Sequence, residues 1–318
     1  MRYVLQRLAH FLLVFVLVTF IVFFTTRVGS DDPARDLDGG TVQQELVDEV
    51  TERYHLDSPL IVQYAYWLKD LVTFDFGYSY AQNQEVTDMF KQRLPNTFFI
   101  AFWAIFIGLL LAVPIGVYSA YRRDSYFDQG FSSTSFALIS MAPVVVAVLL
   151  RYFFAIKWQW FPADSDYIPP WANPWEHFRN FFLPSITLGL GLAAVWSRFL
   201  RADMALTLQS DFIMLARAKG MSPRRVLWRH ALRSSILSLV TSVALQMSVI
   251  IGGAVIVEQV FAMPGVGDRL VFALQSNDLL TLQAIAAVLV AVVVFVNLCV
   301  DLLYAVIDPR IRHARALG

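Results

Sequence analysis

The segment ARAKGMSPRRVLWRHALRSS (residues 216–235) carries Arg217, Lys219, Arg224, Arg225, Arg229 and Arg233 and no acid. It runs directly into ILSLVTSVALQMSVIIGGAVIV (residues 236–257), which has no charge at all. About 20 mostly apolar residues are enough to cross a bilayer as a helix. A basic segment abutting such a span marks the cytoplasmic side. The pair therefore reads as a membrane span and its inner anchor.

The same alternation recurs along the chain, whose 318 residues are 57% hydrophobic and only 16% charged. That balance belongs to membrane proteins rather than soluble domains. Candidate spans cover residues 8–26, 97–120, 131–154, 181–200, 236–257 and 282–305. The fold expected is an all-α polytopic membrane protein with six transmembrane helices and a small extracytoplasmic domain between the first and second. Three parts follow: an N-terminal transmembrane anchor at 1–28, an extracytoplasmic domain at 29–96, and a five-helix core at 97–318 with a cytoplasmic loop at 201–235. Arg2 and Arg7 precede the first span as they would in a signal peptide. Its core is long, however, and Arg27 rather than an A-x-A site follows, so it reads as an uncleaved anchor.

Loop charge sets the orientation. With the N-terminus inside, Arg2, Arg7, Arg122, Arg123, the basic residues from Arg198 to Arg233, and Arg310, Arg312 and Arg315 all fall on the cytoplasmic side. The short outer loops hold only Lys157, Arg179 and Arg269. The expected location is the cell membrane, multi-pass, with both termini cytoplasmic.

The long first loop, residues 28–96, holds thirteen acids against five basic residues, including Arg35. VQQELVDEVTERYHL reads as an amphipathic helix with Val42, Leu46, Val50 and Tyr54 on one face. PLIVQYAYWLKDLV reads as a second helix, and FDFGYSY as a turn pivoting on Gly77. The acidity suits a solvated surface or one that orients a partner. Trp158, Trp160, Trp171 and Trp175 in the loop 155–180 fit an interfacial aromatic belt, and more weakly a ligand-stacking site.

Catalytic and metal chemistry is hard to place. There is no P-loop, HExxH, CxxC or GxSxG; His10, His55, His177, His230 and His313 lack ligand spacing; and the lone Cys299 lies in an apolar run. Ionisable residues (Arg151, Arg198, Glu258, Asp301) sit near span ends rather than at mid-membrane, which disfavours a proton relay. The fifth span carries a stripe of Ser235, Ser238, Ser242, Gln246 and Gly253 at three- and four-residue steps. That stripe serves either close helix packing or a hydrated pathway.

Within the basic segment, DFIMLARAK reads as helix and Gly220 as its left-handed terminator. Ser222 then serves as N-cap and Pro223 as the first position of a second helix, with Arg225, Arg229 and Arg233 on one stripe. A polybasic patch for anionic lipid has no need of such a break.

Ala216 followed four residues later by Gly220 resembles the end of the "EAA" loop of ABC-importer permeases, and ARAKGMSPRRVLWRHALR is similar to the dipeptide, oligopeptide and nickel branch. LDSPLIVQYAYWL, DFGYS, RLPNT, PIGVYSA, VEQVFAMPGVG and NLCVDLLYAVIDPRIR match that branch in order over nearly the whole chain. The resemblance implies a permease subunit forming half of a translocation pathway for short peptides or a similar small solute. It implies a second homologous permease subunit, two ATP-binding cassette ATPases that hold the ATP and magnesium, an extracytoplasmic solute-binding protein, surrounding lipid, and no nucleic acid. A helix around 212–222 would couple to the ATPase through Leu215, Ala216, Arg217, Ala218, Lys219, Gly220, Met221, Ser222 and Pro223. Glu258, Phe261, Pro264, Gly265 and Gly267 would shape an outer gate, although Pro264 and Gly265 alone would also explain a rigid turn. Ser238, Ser242, Gln246 and Gly253 are the pathway candidates. Two positions depart from the pattern: Met214-Leu215 replaces Glu-Ala, and Leu237-Ser238 replaces Leu-Pro, so the kink expected there is open. The chain itself is expected to bind no cofactor and catalyse no reaction; a self-sufficient channel or secondary transporter, or a membrane enzyme, are the competing classes.

Overall fold

The computed structural model describes residues 2–28 and 44–307, with side chains over 6–27 and 47–300. Arg2, Arg35, Val42, Leu46, Asp301, Arg310, Arg312, His313 and Arg315, assigned sides or faces above, lie outside the described residues or side chains. Among the described residues the regular elements are all helices apart from one hairpin of two two-residue strands.

Four helices are individually long and apolar enough to span a membrane: Gln6–Arg27, Val86–Tyr121, Pro174–Thr207 and Leu279–Val300. The other two expected spans are each broken. Tyr126–Ser140 and Pro143–Lys157 meet at 102°, and Pro223–Leu245 and Met247–Val260 meet at 48°. Counting each bent pair as one gives the six spans expected. The first break has a local cause: Pro143 opens a new helix, and its ring holds the preceding residue extended (Ala142 ψ 138°). The second falls at Gln246, not at Leu237-Ser238, where α10 (Leu232–Leu245) runs unbroken.

The chain divides into two compact units, Met1–Pro95 with Gly265–Gly318, and Asn96–Pro264. In the first unit α1 (Arg2–Val28) lies along α13 (Leu279–Ile307). Gln283 Nε2 donates to Thr26 Oγ1 at 2.5 Å. The second helix of the chain, α2 (Gln44–Arg53), buries Val50 as expected and also Val47, which falls off the face chosen from sequence. Its neighbour α3 (Leu60–Val72) is tied to α1 by Tyr64, whose hydroxyl donates to the Val16 carbonyl at 2.9 Å. The turn at Gly77 (φ +81°) leads into strands β1 (Tyr78–Ser79) and β2 (Gln84–Glu85). A Cβ on Gly77 would sit 2.6 Å from the Tyr54 hydroxyl, so only glycine fits. Asp278 caps α13 through the Thr281 amide and hydroxyl and also accepts from Ser79 at 2.7 Å. The helix α12 (Val266–Gln275) packs on α13.

In the second unit the hub is α7 (Pro174–Thr207). It packs against α5 (Tyr126–Ser140), α6 (Pro143–Leu150, continuing as a π-helix over Arg151–Lys157), α10 and α11 (Met247–Val260). The 36-residue α4 (Val86–Tyr121) starts well before the expected Thr97. Its polar first turns, with Asp88, Lys91 and Arg93, fail a hydropathy test but still fold as helix. Within this unit α4 presents Ile100, Ala104, Gly108, Ala112, Gly116 and Ala120 in steps of four, all buried. Small residues at that spacing let two backbones approach. A Cβ on Gly108 would meet the Trp196 ring at 2.7 Å.

Candidate coupling and pathway site

The basic segment folds as helix, break, helix. The first arm, α8 (Asp211–Ala218), buries Ile213 and Ala216. The break is a Schellman turn. Gly220, at φ +77°, donates its amide to the Arg217 carbonyl at 2.9 Å, and Met221 donates to Ala216 at 3.3 Å. Pro223 opens the short α9 (Pro223–Arg225) at its first position. Ser222 has the extended backbone of an N-cap (φ −64°, ψ 145°), but its side chain makes no capping bond, a departure from the expectation. The chain continues as a π-helix over Val226–Ala231, and Arg225, Arg229 and Arg233 are all exposed.

Burial splits the coupling residues into two sets. Ala216 faces the core, and Met221 is half-buried against it. Leu215, Arg217, Ala218, Lys219, Gly220, Ser222 and Pro223 are exposed. Phe212, Met214 and Leu215 form an outward apolar face, with Met214 64% and Leu215 57% exposed. Three large apolar side chains are therefore left uncovered on one short helix.

At the other end of the same unit the turn after α11 is held from several elements. Glu258 is buried and accepts from Thr97 Oγ1 at 2.5 Å. Arg151 Nη1 donates to the Val260 carbonyl at 2.5 Å while Nη2 pairs with Asp164 at 2.7 Å. The Ser165 amide donates to the Phe261 carbonyl at 3.1 Å, and Asn96 Nδ2 to the Pro264 carbonyl at 2.5 Å. Met263 closes the helix end by donating to the Glu258 carbonyl across Ala262, which sits at φ +50°. Phe261 and Met263 are fully buried. The segment is a multiply anchored turn. The remaining two gate candidates belong to the first unit, where Gly265 is the extended N-cap of α12 and Gly267 is buried in its first turn.

The fifth-span stripe separates on folding. Ser235 is buried and shares a 3.2 Å hydrogen bond with Thr207. Ser238 is half-buried, Ser242 buried, and Gly253 is pressed against Leu188, whose Cδ2 lies 2.8 Å from where a Cβ would be. Packing thus accounts for Ser235 and Gly253. Gln246 differs: it sits at the helix break and lines a cavity of about 240 Å³ with Met141, Pro143, Thr187, Gly191 and Gly253. Both span breaks of this unit open onto that cavity, whose lining is apolar apart from Gln246 and Thr187.

Two arrangements escaped the sequence reading. Asp128 at the start of α5 is buried, accepts from Nε and Nη2 of Arg201 on α7 at 2.5 Å each, and also accepts from the Ser119 hydroxyl on α4 and the Asp124 amide. One carboxylate thus joins three helices. His177 is also buried: Trp103 Nε1 donates to its Nε2 at 3.0 Å, and its Nδ1 lies 2.6 Å from the Ile168 carbonyl. Those partners specify a neutral ring protonated at Nδ1. Sequence spacing showed neither, because the partners are far apart in the chain. The belt tryptophans Trp158, Trp160, Trp171 and Trp175 are all exposed.

Helices of this number, length and apolar character define a multi-pass membrane protein. Residues 112–313 match the family described as the binding-protein-dependent transport system inner membrane component, and residues 1–101 match its N-terminal family. The chain belongs to this family of ABC-transporter permeases. Among its relatives, the oligopeptide transport system permease protein AppB of Bacillus subtilis (strain 168) and the glutathione transport system permease protein GsiC of Escherichia coli (strain K12) are each 30% identical over 98% of this chain and 99% of their own. A chain of the MetNI methionine ABC transporter, crystallised in inward-facing conformations, shares the fold with TM-score 0.54 and 15% identity, over 70% of this chain and 98% of its own. Membership makes the chain a transport component that works with an ATPase and a solute-binding protein.

Proposed function

We propose that this chain is a permease subunit of an ATP-driven importer for short peptides or a similar small solute. It pairs with a second homologous permease to form the pathway. Two ATPases engage it from the cytoplasm and a solute-binding protein docks outside, with both termini cytoplasmic and the acidic domain of residues 29–96 outside. AppB and GsiC, named for oligopeptide and glutathione transport, support the solute class.

The observation that carries the coupling role is the break at Gly220. A rigid Schellman turn follows a helix whose outer face is apolar, where the family pattern has Glu-Ala. Met214 and Leu215 would grip the ATPase by apolar burial instead of charge. Closure of the ATPases would shift α8 and select between inward- and outward-open states, which requires a contact that differs between the two. Gln246 and the cavity between the two span breaks belong to the pathway in this reading. Freed backbone groups at a break are tolerated in the membrane where they line a water-filled cavity. Glu258, Phe261 and Pro264, with Gly265 and Gly267, shape the outer gate.

The test is co-purification of the ATPases with the membrane-inserted chain. Leu215→Glu should reduce their recovery strongly while insertion is unchanged. Equal recovery would reject the coupling site.

A further inference from the structure

We propose that the basic cavity beside the Gly220 break is a binding site for the headgroup of an anionic phospholipid. The proposal rests on the orientation given above. The cavity measures about 480 Å³ and is built where three elements end: α4 at Tyr121, α7 at Thr207 and α8 at Ala218. Arg123 and Arg217 supply two guanidinium groups, with Gln209 and Tyr121 as neutral hydrogen-bonding groups, and no acid lines it. The cavity's other walls are apolar: Val226 and Leu227 belong to the buried core, and Leu208 and Met221 pack against it. Among the described residues the one acid paired with either arginine is Asp124, whose carboxylate lies 3.6 Å from Arg123 Nε; both side chains are more than half exposed, so that pair is weak. Arg122 turns away over the Tyr118 ring at 5.4 Å.

A site with two cations, no anion and an apolar wall has a chemical preference. A phosphodiester satisfies the guanidinium forks, which match its oxygens in pairs. The acyl end of the same molecule covers the apolar wall. Free phosphate would use only the first half of this lining. Basic pockets between span ends on the cytoplasmic side are where such headgroups are held. Because Arg217 and Met221 flank the Gly220 turn, a headgroup here fastens the coupling helix to the ends of α4 and α7.

Arg123 is the residue to vary, being outside the coupling segment and largely exposed. The assembled transporter, with its ATPases, is placed in nanodiscs of phosphatidylcholine with or without phosphatidylglycerol, and retained lipid is counted by native mass spectrometry. Wild type should retain phosphatidylglycerol in preference to phosphatidylcholine. Arg123→Gln should retain about fivefold less, the equivalent of the roughly 1 kcal/mol contributed by one basic residue at an anionic surface, and Arg123→Lys should recover most of it. Equal retention by wild type and Arg123→Gln overturns the proposal. So does displacement of the lipid by millimolar inorganic phosphate, which assigns the site to a free anion, or retention of phosphatidylglycerol only after the ATPases are stripped, which assigns the cavity to them. ATPase recovery is measured in the same samples. Its absence in wild type would reject the coupling reading while leaving the lipid result intact.

Discussion

The amide of Met221 donates to the carbonyl of Ala216 at 3.3 Å, across a glycine held at φ +77°. That bond ends α8 and fixes the direction in which Pro223 restarts the chain. It places an exposed apolar helix face, a sharp turn and a basic helix within a dozen residues.

The turn depends on the left-handed backbone at Gly220. A β-branched residue there is strained by about 1–2 kcal/mol, whereas Asn tolerates the conformation. Open space surrounds the position, so backbone strain rather than collision decides the outcome. Gly220→Val should lower ATPase recovery about tenfold, and Gly220→Asn should retain most of it. Equal recovery for Val and Asn would remove the turn from the account.

The pairing of Asp128 with Arg201 is expected to be a major stabilising contact of the second unit. Asp128 is nearly fully buried, so removing its partner leaves an unpaired charge. Arg201→Ala should destabilise the chain by roughly 3 kcal/mol, and Ser119→Ala by about 1 kcal/mol. Thermal unfolding in detergent checks both. Asp128→Ala combined with Arg201→Ala should cost less than the sum of the two singles.

Close packing of α4 on α7 predicts a volume effect. Gly108→Ala puts a methyl 2.7 Å from the Trp196 ring. It should cost about 1–3 kcal/mol through overpacking. Trp196→Leu in the same chain should restore part of that loss, and additive costs in the same unfolding assay would contradict the contact.

The region between the first two spans should show a pH dependence of defined sign. Burial, and then the Asp75 carboxylate, push the Asp70 acid above its ordinary value. A carboxyl whose folded value is raised favours folding when protonated, and this contribution is lost as pH rises through the folded value. Asp70→Asn should therefore raise the unfolding temperature at neutral pH and leave it nearly unchanged in acid. A drop at neutral pH would show that Lys69, His55 and Arg53 dominate instead.

Hydropathy located the four unbroken spans and both bent helix pairs because each is a long apolar run, and Gly220 and Pro223 are readable because their backbone limits are intrinsic. The breaks inside the third and fifth spans were not located, since an apolar window reads through them. Pro143 was a visible signal for the first. Gln246 carries no such signal: the bend there comes without proline or glycine, and Gly253 pressed on Leu188 shows how closely α11 meets α7. The start of α4 at Val86 was missed because its first turns are polar. Asp128, Arg201 and Ser119, like Trp103 and His177, meet only after folding, so spacing along the chain could not join them.

The central claim is that this chain moves solute only when ATPases act through the Gly220 break. It is tested most directly by ATP-dependent uptake of a labelled dipeptide into proteoliposomes holding the assembled transporter and its binding protein. The account predicts uptake by wild type and background uptake by Gly220→Arg, although that variant inserts normally. Unchanged uptake by Gly220→Arg, or equal flux through the chain without ATPases, would contradict it.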